Sequence, residues 1–355
     1  MFDNTITVNN KSYDLKILSD LSNKKLDLSN FDQKIDAYLR SYQSAGINTE
    51  NYSSEQLIPQ FLHFRAQRNE KLNNLFQEIK DPDVLAFYEK FRPFVELLNN
   101  KINNQTLITD LQPNKISFNA TGSKDARLST KKGFLNLYSV PKEERYRIKS
   151  DPEFRFVQCD YRNFQARLAI FLTKNDTFKG RFADVEDIYQ GADREQNKLQ
   201  FFRVMFGVEA SEQFGLTPIF DLRKTIFEES QKKGKIVNPF GRPIFSREDE
   251  HTVFRNFITS CESDFVCNVA VKLDALLLGK RSRIKWLFHD AVMFEIHKEE
   301  SALLKQIKQI MENDNIFNVR FPITIQSGKD FGNMKSLSCR GNVIQLSPRL
   351  LCFKK

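Results

Sequence analysis

Two aspartates stand where an acidic side chain is costly unless it binds something. Asp160 ends the β-like run 154–159 and precedes a helical pattern, and Asp290 lies in the turn of an apolar β-hairpin. A carboxylate at the tip of a buried strand has to be paired or hold a metal ion. Two such tips on one sheet predict a pair of divalent cations about 3.5–4 Å apart, as in phosphoryl transfer. Taken singly, each aspartate also fits an ordinary turn or N-cap residue.

A second group of residues follows a helical spacing. Arg194, Lys198, Phe202 and Phe206 recur at every fourth position, which places them along one face of a helix predicted over 194–207. Two cations followed by two aromatic rings could bind a triphosphate at one end and a sugar and base at the other. The same spacing also fits a plainer interpretation, in which the phenylalanines pack in the core and the cations face solvent.

The composition favours a globular protein with a polyanionic partner. The 355 residues carry a formal net charge of +9, and 40% of them are hydrophobic. Excess basic charge favours nucleic acid, because each contact with a phosphate releases counterions, although a generally charged surface is the alternative. The five cysteines form no CxxC pair and, with four histidines, offer no zinc spacing. We therefore expect a cytoplasmic protein with no secretory signal and no membrane span.

The elements that carry these residues are a mixture of helices and strand hairpins. Apolar residues at three- and four-residue steps predict two or three amphipathic helices over 61–104. Further helices are predicted over 164–172, 194–207, 217–233, 250–277 and 298–313. Strands are predicted over 154–159, 284–288, 291–296 and 319–326, with a strand–turn–strand over 235–245. This pattern predicts the α+β fold class with an antiparallel sheet.

The order and spacing of these pieces resemble the polymerase domain of family A DNA polymerases, the bacterial DNA polymerase I group. The run DYRNFQARLA, beginning at Asp160, is similar to the family's motif A, D-Y-S-Q-I-E-L-R-x-x-A. The helical stripe that ends at Phe206 and Gly207 is similar to motif B, R-x-x-x-K-x-x-x-F-x-x-x-Y-G. The run FHDAV, beginning at Phe288, is similar to motif C, V-H-D-E-L.

Three shorter pieces extend the resemblance over residues 115–332. ARLST at 126–130 and NLYSVP at 136–141 are similar to the family's G-R-L-S-S and N-L-Q-N-I-P. NPFGR at 238–242 resembles the T-x-x-G-R turn, and GKDF at 328–331 stands where the family has G-x-x-W.

The resemblance implies a right-hand polymerase fold with an antiparallel-sheet palm, shortened helical fingers and a short helical thumb. It divides the chain into an N-terminal segment of unclear role (1–60), thumb-like helices (61–115), a first part of the palm (116–190), fingers (191–250), a second part of the palm (251–335) and a basic tail (336–355). No exonuclease domain of ordinary size fits upstream, so proofreading is not expected.

The resemblance also implies template-directed addition of dNTPs to a primer 3′-hydroxyl. Asp160 and Asp290 would hold two Mg²⁺, for which Mn²⁺ could substitute, with the backbone carbonyl of Tyr161 completing one site. The nucleotide would contact Gln165, Arg194, Lys198, Phe202 and Phe206. Primer-template DNA would contact Arg127, Asn136, Arg242, His289, Lys280 and Arg281. A replication accessory protein is a further expected partner.

Two departures from the family leave alternatives open. Ala291 stands where motif C has its second carboxylate, and Gln165 replaces the glutamate that blocks the ribose 2′-hydroxyl. The first departure, with the shortened fingers, fits a catalytically degenerate polymerase fold that serves as a DNA-binding subunit of a replication complex. The second fits a polymerase with relaxed sugar selectivity that uses ribonucleotides or makes primers.

Overall fold

The chain forms two compact units in a computed structural model. One unit comprises residues 1–89 with 241–243, and the other comprises 90–240 with 244–355. The structure describes residues 5–8 and 11–23, scattered residues between 33 and 77, residues 81–340 except 122, 124, 192 and 208–214, and residues 343–345. Most of the predicted N-terminal segment, most of the region predicted as helices before residue 81 and most of the basic tail lie outside these described residues.

The first unit begins with a hairpin that leads directly into a helix. Strands β1 (Thr5–Val8) and β2 (Lys11–Asp14) pair antiparallel, and α1 spans Leu15–Leu21. Asp14 caps α1, because its Oδ1 accepts hydrogen bonds from the backbone amides of the second and third helical residues. The next helix with described bounds, α2, spans Pro82–Leu97 and has proline in its first turn; residues 82–89 belong to this unit and 90–97 to the second.

The second unit contains the remaining described elements. Its helices are α3 (Phe164–Leu172), α4 (Asp176–Gly180), α5 (Arg194–Phe206), α6 (Thr217–Lys233), α7 (Glu250–Leu276) and α8 (Leu303–Asn313). Its strands are β3 (Phe118–Asn119), β4 (Ser129–Thr130), β5 (Phe154–Tyr161), β6 (Ile236–Val237), β7 (Pro243–Ile244, at the junction with the first unit), β8 (Arg283–Leu287), β9 (Ala291–His297), β10 (Ile323–Gly328), β11 (Lys335–Ser336), β12 (Ser338–Arg340) and β13 (Val343–Gln345).

A five-stranded antiparallel sheet lies at the centre of this unit. Its strand order is β11-β10-β5-β9-β8, so β5 has a neighbour on each side. Near the end of β5, Asp160 lies opposite Ala291 of β9 and opposite Thr324 of β10. The predicted combination of helices with an antiparallel sheet is confirmed.

Two predicted boundaries were wrong for identifiable reasons. The helix predicted from 298 begins at Leu303, because residues 298–300 form a separate 3₁₀ turn whose Glu299 amide bonds His297 Nδ1 at 3.3 Å. The last strand was predicted from 319 and begins at Ile323. Pro322 directly before it has no amide hydrogen to contribute to a ladder.

Aromatic packing fixes the end of β5 against the helices that follow it. The Tyr161 ring stacks on Phe164 of α3 with 4.5 Å between ring centroids, and Phe265 of α7 meets both rings edge-on. Asn163, with φ at 53°, turns the chain from β5 into α3, a left-handed conformation that asparagine tolerates better than most residues. The long helix α7, capped by Asp249, also packs against α6. Among the described helices, none is both long and apolar enough to cross a bilayer.

Candidate active site

The two predicted metal ligands lie at neighbouring strand ends of the central sheet. Asp160 is the penultimate residue of β5, and Asp290 lies in the turn that joins β8 to β9. The backbone amide of Tyr161 donates to the carbonyl oxygen of Asp290 at 3.0 Å. The β5–β9 ladder therefore continues into the turn and fixes the two aspartates beside each other.

Burial and mutual repulsion make the charged forms of these carboxylates costly. Burial, together with the negative charge of Asp290, raises the pKa of Asp160 to about 7. Burial likewise raises the pKa of Asp290. A divalent cation would relieve both effects, because it replaces lost hydration and screens the repulsion between the carboxylates.

These residues fit hard, oxygen-bound ions such as Mg²⁺ by the chemistry of their donors. Carboxylate oxygens and a backbone carbonyl, that of Tyr161, are the ligand types that Mg²⁺ prefers. The described part of the chain contains no group of three or more His, Cys, Asp or Glu side chains positioned to hold a metal ion. The donor set at this site is thus the aspartate pair, with backbone and water oxygens left to complete the coordination.

A third acid, Glu262, lies beside the two half-buried aspartates and is itself buried. It projects from α7, its residue is 3% exposed, and burial raises the pKa of its carboxyl to about 7. The negative charge of Glu262 contributes to the raised pKa of Asp160, and the negative charge of Asp290 contributes to the raised pKa of Glu262. Glu262 Oε2 accepts hydrogen bonds from Gln165 Nε2 at 3.0 Å and from Arg127 Nη2 at 3.2 Å.

Glu262 was not predicted as a site residue, although the sequence carries a signal for it. Glu262 and Asp264 are the only charged residues between Asn256 and Val271. An acid within such an uncharged stretch of helix is expected to be buried and to have a specific partner.

Buried polar contacts anchor the strand end that carries Asp160. The hydroxyl of Tyr161 donates to the carbonyl of Met311 at 2.9 Å. Arg167 of α3 is fully buried, and its guanidinium donates to the carbonyls of Arg162, Val185 and Glu186. Arg167 therefore ties the chain after β5 to the segment that leads into α5.

The predicted stripe on α5 is distinct from the face that this helix buries. The core face consists of Phe201, Val204 and Met205, whereas Phe202 and Phe206 are only half-buried, with 5.8 Å between their ring centroids. The plainer interpretation fits the two cations, which are exposed, and fits the two rings only in part, since Phe206 also lies 6.2 Å from the buried ring of Phe254.

The two cations of the stripe differ in their surroundings. Lys198 is exposed, and no ion pair involving it is found within the described part of the chain. Arg194 pairs with Asp187 at 2.6 Å and with Glu195 at 2.9 Å. Arg194 has to leave these carboxylates before it can bind another anion.

The residues predicted to meet the primer terminus form a connected group. The His289 ring stacks on Tyr138, with centroids 4.7 Å apart and an interplanar angle of 12°. Asn136 Oδ1 accepts from the Tyr138 amide at 3.1 Å. Burial and the charge of Arg127 lower the pKa of His289 to about 4, so its imidazole is neutral at pH 7. Tyr138 was not predicted as a site residue.

Of three further residues predicted to bind DNA, one belongs to the first unit and two precede β8 in the second. Arg242 belongs to the first unit, where it is buried with its guanidinium 4.5 Å from the centroid of the Phe87 ring. Lys280 and Arg281 precede β8, and Arg281 pairs at 2.5 Å with Glu153, just before β5. This is the opposite end of β5 from Asp160, roughly 20 Å away at the rise of a strand. Contacts of Arg242, Lys280 and Arg281 with DNA remain predictions.

The chain has the fold of a DNA polymerase domain. A solved structure that it is similar to is the POL domain of Pol1 from M. smegmatis, in complex with DNA primer-template and dNTP, at 17% sequence identity and a TM-score of 0.53. The match covers 90% of this chain and 66% of that one, so this chain spans just under two thirds of its length. No protein-family model and no curated protein matches the sequence. The resemblance to a polymerase domain is confirmed at the level of the fold.

Proposed function

We propose that this chain is a template-directed DNA polymerase that adds dNTPs to a primer 3′-hydroxyl. The observation that carries the proposal is the pair of strand-end aspartates, Asp160 and Asp290, fixed beside each other within a polymerase-domain fold. In this proposal the central sheet is the palm, α5 and α6 form shortened fingers, and the helices over 61–115 form the thumb.

Asp160, Asp290 and the carbonyl of Tyr161 would hold two Mg²⁺. When bound, these ions would lower the pKa of the primer 3′-hydroxyl and neutralise the triphosphate. The half-buried setting of both aspartates favours this role, because their pKa values are raised until a cation stabilises the charged forms.

Helix α5 would bind the incoming nucleotide. Lys198 is exposed, and with Arg194 it would neutralise the charge that moves onto the leaving pyrophosphate. Arg194 would exchange Asp187 for the triphosphate, since its present ion pair is exposed and weak. Phe202 would pack on the sugar and Phe206 beside the templating base, while Gln165 of α3 would face the C2′ edge of the sugar.

On the primer side, Arg127, Asn136 and His289 would contact the primer terminus and minor groove. A neutral His289 offers one N–H donor and one ring acceptor, which suits polar contacts to base edges and sugar. Arg242, Lys280 and Arg281 would contribute contacts to the DNA backbone.

A primer-extension assay tests this function. The purified chain is incubated with Mg²⁺, a labelled primer annealed to a template, and each dNTP in turn. We expect extension only by the nucleotide complementary to the template base. Binding of the primer-template without extension by any nucleotide would contradict the proposal and favour the DNA-binding subunit instead.

A further inference from the structure

The side-chain amide of Gln165 is held from one side by a buried carboxylate. Gln165 lies in the first turn of α3, and its Nε2 donates to Glu262 Oε2 at 3.0 Å. The Arg127 guanidinium donates to the same oxygen at 3.2 Å. Because Oε2 receives two N–H donors, it acts as an acceptor, and only the NH₂ end of the Gln165 amide can face it.

This contact engages Nε2 of the Gln165 amide and leaves its carbonyl oxygen, Oε1, available to accept a hydrogen bond. Among the described residues, no hydrogen bond to Gln165 Oε1 is found, and Gln165 is only half-buried. An amide whose NH₂ is held by a carboxylate presents its carbonyl oxygen to whatever occupies the adjacent space. That oxygen can only accept a hydrogen bond.

We propose that Glu262 is a positioning residue that sets sugar selectivity: it holds the Gln165 carbonyl oxygen toward the nucleotide sugar, where a ribose 2′-hydroxyl can donate to it. This inference rests on the proposed function, which places Gln165 at the C2′ edge of the sugar. It assigns ribonucleoside triphosphates as accepted substrates beside dNTPs.

The physical basis is preorganisation of a single acceptor. When Glu262 fixes the amide, a bound 2′-hydroxyl gains a hydrogen bond without having to immobilise the Gln165 side chain. Without Glu262, the amide can rotate, and part of that gain is lost. A dNTP forms no bond at this position, so its incorporation depends little on how the amide is oriented.

Three nucleotides that differ only at the sugar 2′ position can show whether Gln165 accepts a hydrogen bond from a 2′-hydroxyl. Single-turnover incorporation is measured for a dNTP, the matching rNTP and the 2′-fluoro-2′-deoxy analogue, whose fluorine cannot donate a hydrogen bond. In the parent protein we expect the rNTP to be used about tenfold more efficiently than the fluoro analogue, the usual value of one hydrogen bond. If the fluoro analogue is used as well as the rNTP, the carbonyl oxygen does not face the sugar and the inference is overturned.

The variants Glu262→Met and Glu262→Gln test the positioning role. We expect Glu262→Met to raise the apparent Kd of the rNTP and to reduce its advantage over the fluoro analogue to within about threefold. Glu262→Gln should change the advantage in the same direction by less, because a neutral amide can still accept from Gln165. An unchanged advantage in both variants would overturn the inference.

Asp264→Asn is the matched control. Asp264 lies on the same helix, is 3% exposed like Glu262, and accepts from the amide of Asn238 at 2.7 Å. Asp264→Asn should leave the advantage of the rNTP over the fluoro analogue unchanged. If Asp264→Asn reduces that advantage as much as Glu262→Met does, a general disturbance of α7 causes the effect and the inference is overturned. Extension with dNTPs by the parent protein is scored separately, so failure of the proposed function is distinguishable from failure of this inference.

Discussion

The backbone amide of Tyr161 donates a 3.0 Å hydrogen bond to the carbonyl oxygen of Asp290. This bond extends the β5–β9 ladder by one residue into the turn after β8, so the Asp290 backbone is as fixed as that of Asp160. Because the strand ends are hydrogen-bonded, the backbones that carry the two carboxylates cannot separate to relieve the repulsion between them. The relationship therefore favours binding of a cation between them.

Lys198 should act on the nucleotide more than on DNA. Lys198→Ala is expected to lower single-turnover incorporation by about tenfold to a thousandfold, because a charge directed at the triphosphate acts in the transition state. Affinity for the primer-template should change little. Incorporation rates and DNA titrations at two salt concentrations measure both quantities.

Arg203→Ala is the matched control for Lys198→Ala. Arg203 is exposed on the same helix but lies off the stripe. We expect it to leave incorporation nearly unchanged. If Lys198→Ala instead weakens only DNA binding and reduces its salt dependence, α5 contacts the DNA backbone.

The stability of the metal-free protein should depend on pH through the buried acids. The pKa values of Asp160 and Glu262 are raised to about 7 from 3.8 and 4.5, so the folded state keeps protons that the unfolded state has lost. Their contribution to the free energy of unfolding is therefore present below about pH 4 and is lost as the pH rises to about 7. In EDTA at pH 8, Asp160→Asn should raise the Tm by about 2–4 °C.

Asp176→Asn is the control for that measurement. Asp176 is exposed, and its pKa is lowered by a hydrogen bond from Lys179, so its substitution should not raise the Tm at pH 8. A parent protein whose Tm in EDTA rises steadily between pH 4 and pH 8, with no gain in Asp160→Asn, would contradict the account of the buried acids.

Divalent cations should stabilise the folded protein without any turnover. At a Mg²⁺ concentration a hundredfold above the Kd, one site stabilises the folded state by about 2.7 kcal/mol, which shifts the Tm by several degrees. The shift should be lost in Asp160→Asn and in Asp290→Asn, because each removes a charged ligand. Thermal unfolding with and without Mg²⁺ at pH 8 measures it, and equal shifts in all three proteins would place the ion elsewhere.

Arg167 should matter for stability rather than chemistry. Its fully buried guanidinium bonds three backbone carbonyls, and Arg167→Leu would leave these acceptors without their charged donor. We expect a loss of about 3 kcal/mol in the free energy of unfolding, measured by denaturant titration. Arg162→Leu, which removes an exposed ion pair to Glu186, should cost at most about 1 kcal/mol.

The sequence predicted the elements well wherever local periodicity determines them. The helices α5, α6 and α7 and the β8–β9 hairpin lie within one or two residues of the predicted ranges, because apolar spacing and turn residues are local signals. The two aspartates were singled out as metal-ligand candidates because each stands at the end of an apolar, strand-like run in the sequence.

The partners of the site residues could not be read from the sequence. Glu262 is 97 positions from Gln165 and 135 positions from Arg127, and the contacts among them depend on how α7 packs against α3. Ion pairs such as that of Arg194 with Asp187 likewise follow from tertiary placement, which periodicity does not encode.

The most direct test of the account is single-turnover extension by the parent protein, Asp160→Asn and Asp290→Asn with saturating primer-template. Asp176→Asn serves as a surface control, and DNA affinity is measured alongside. The account predicts extension by the parent and the control, at least about a thousandfold less by each site variant, and unchanged or tighter DNA binding. Extension by either site variant within about tenfold of the parent, a difference of about 1.4 kcal/mol in barrier, would contradict it.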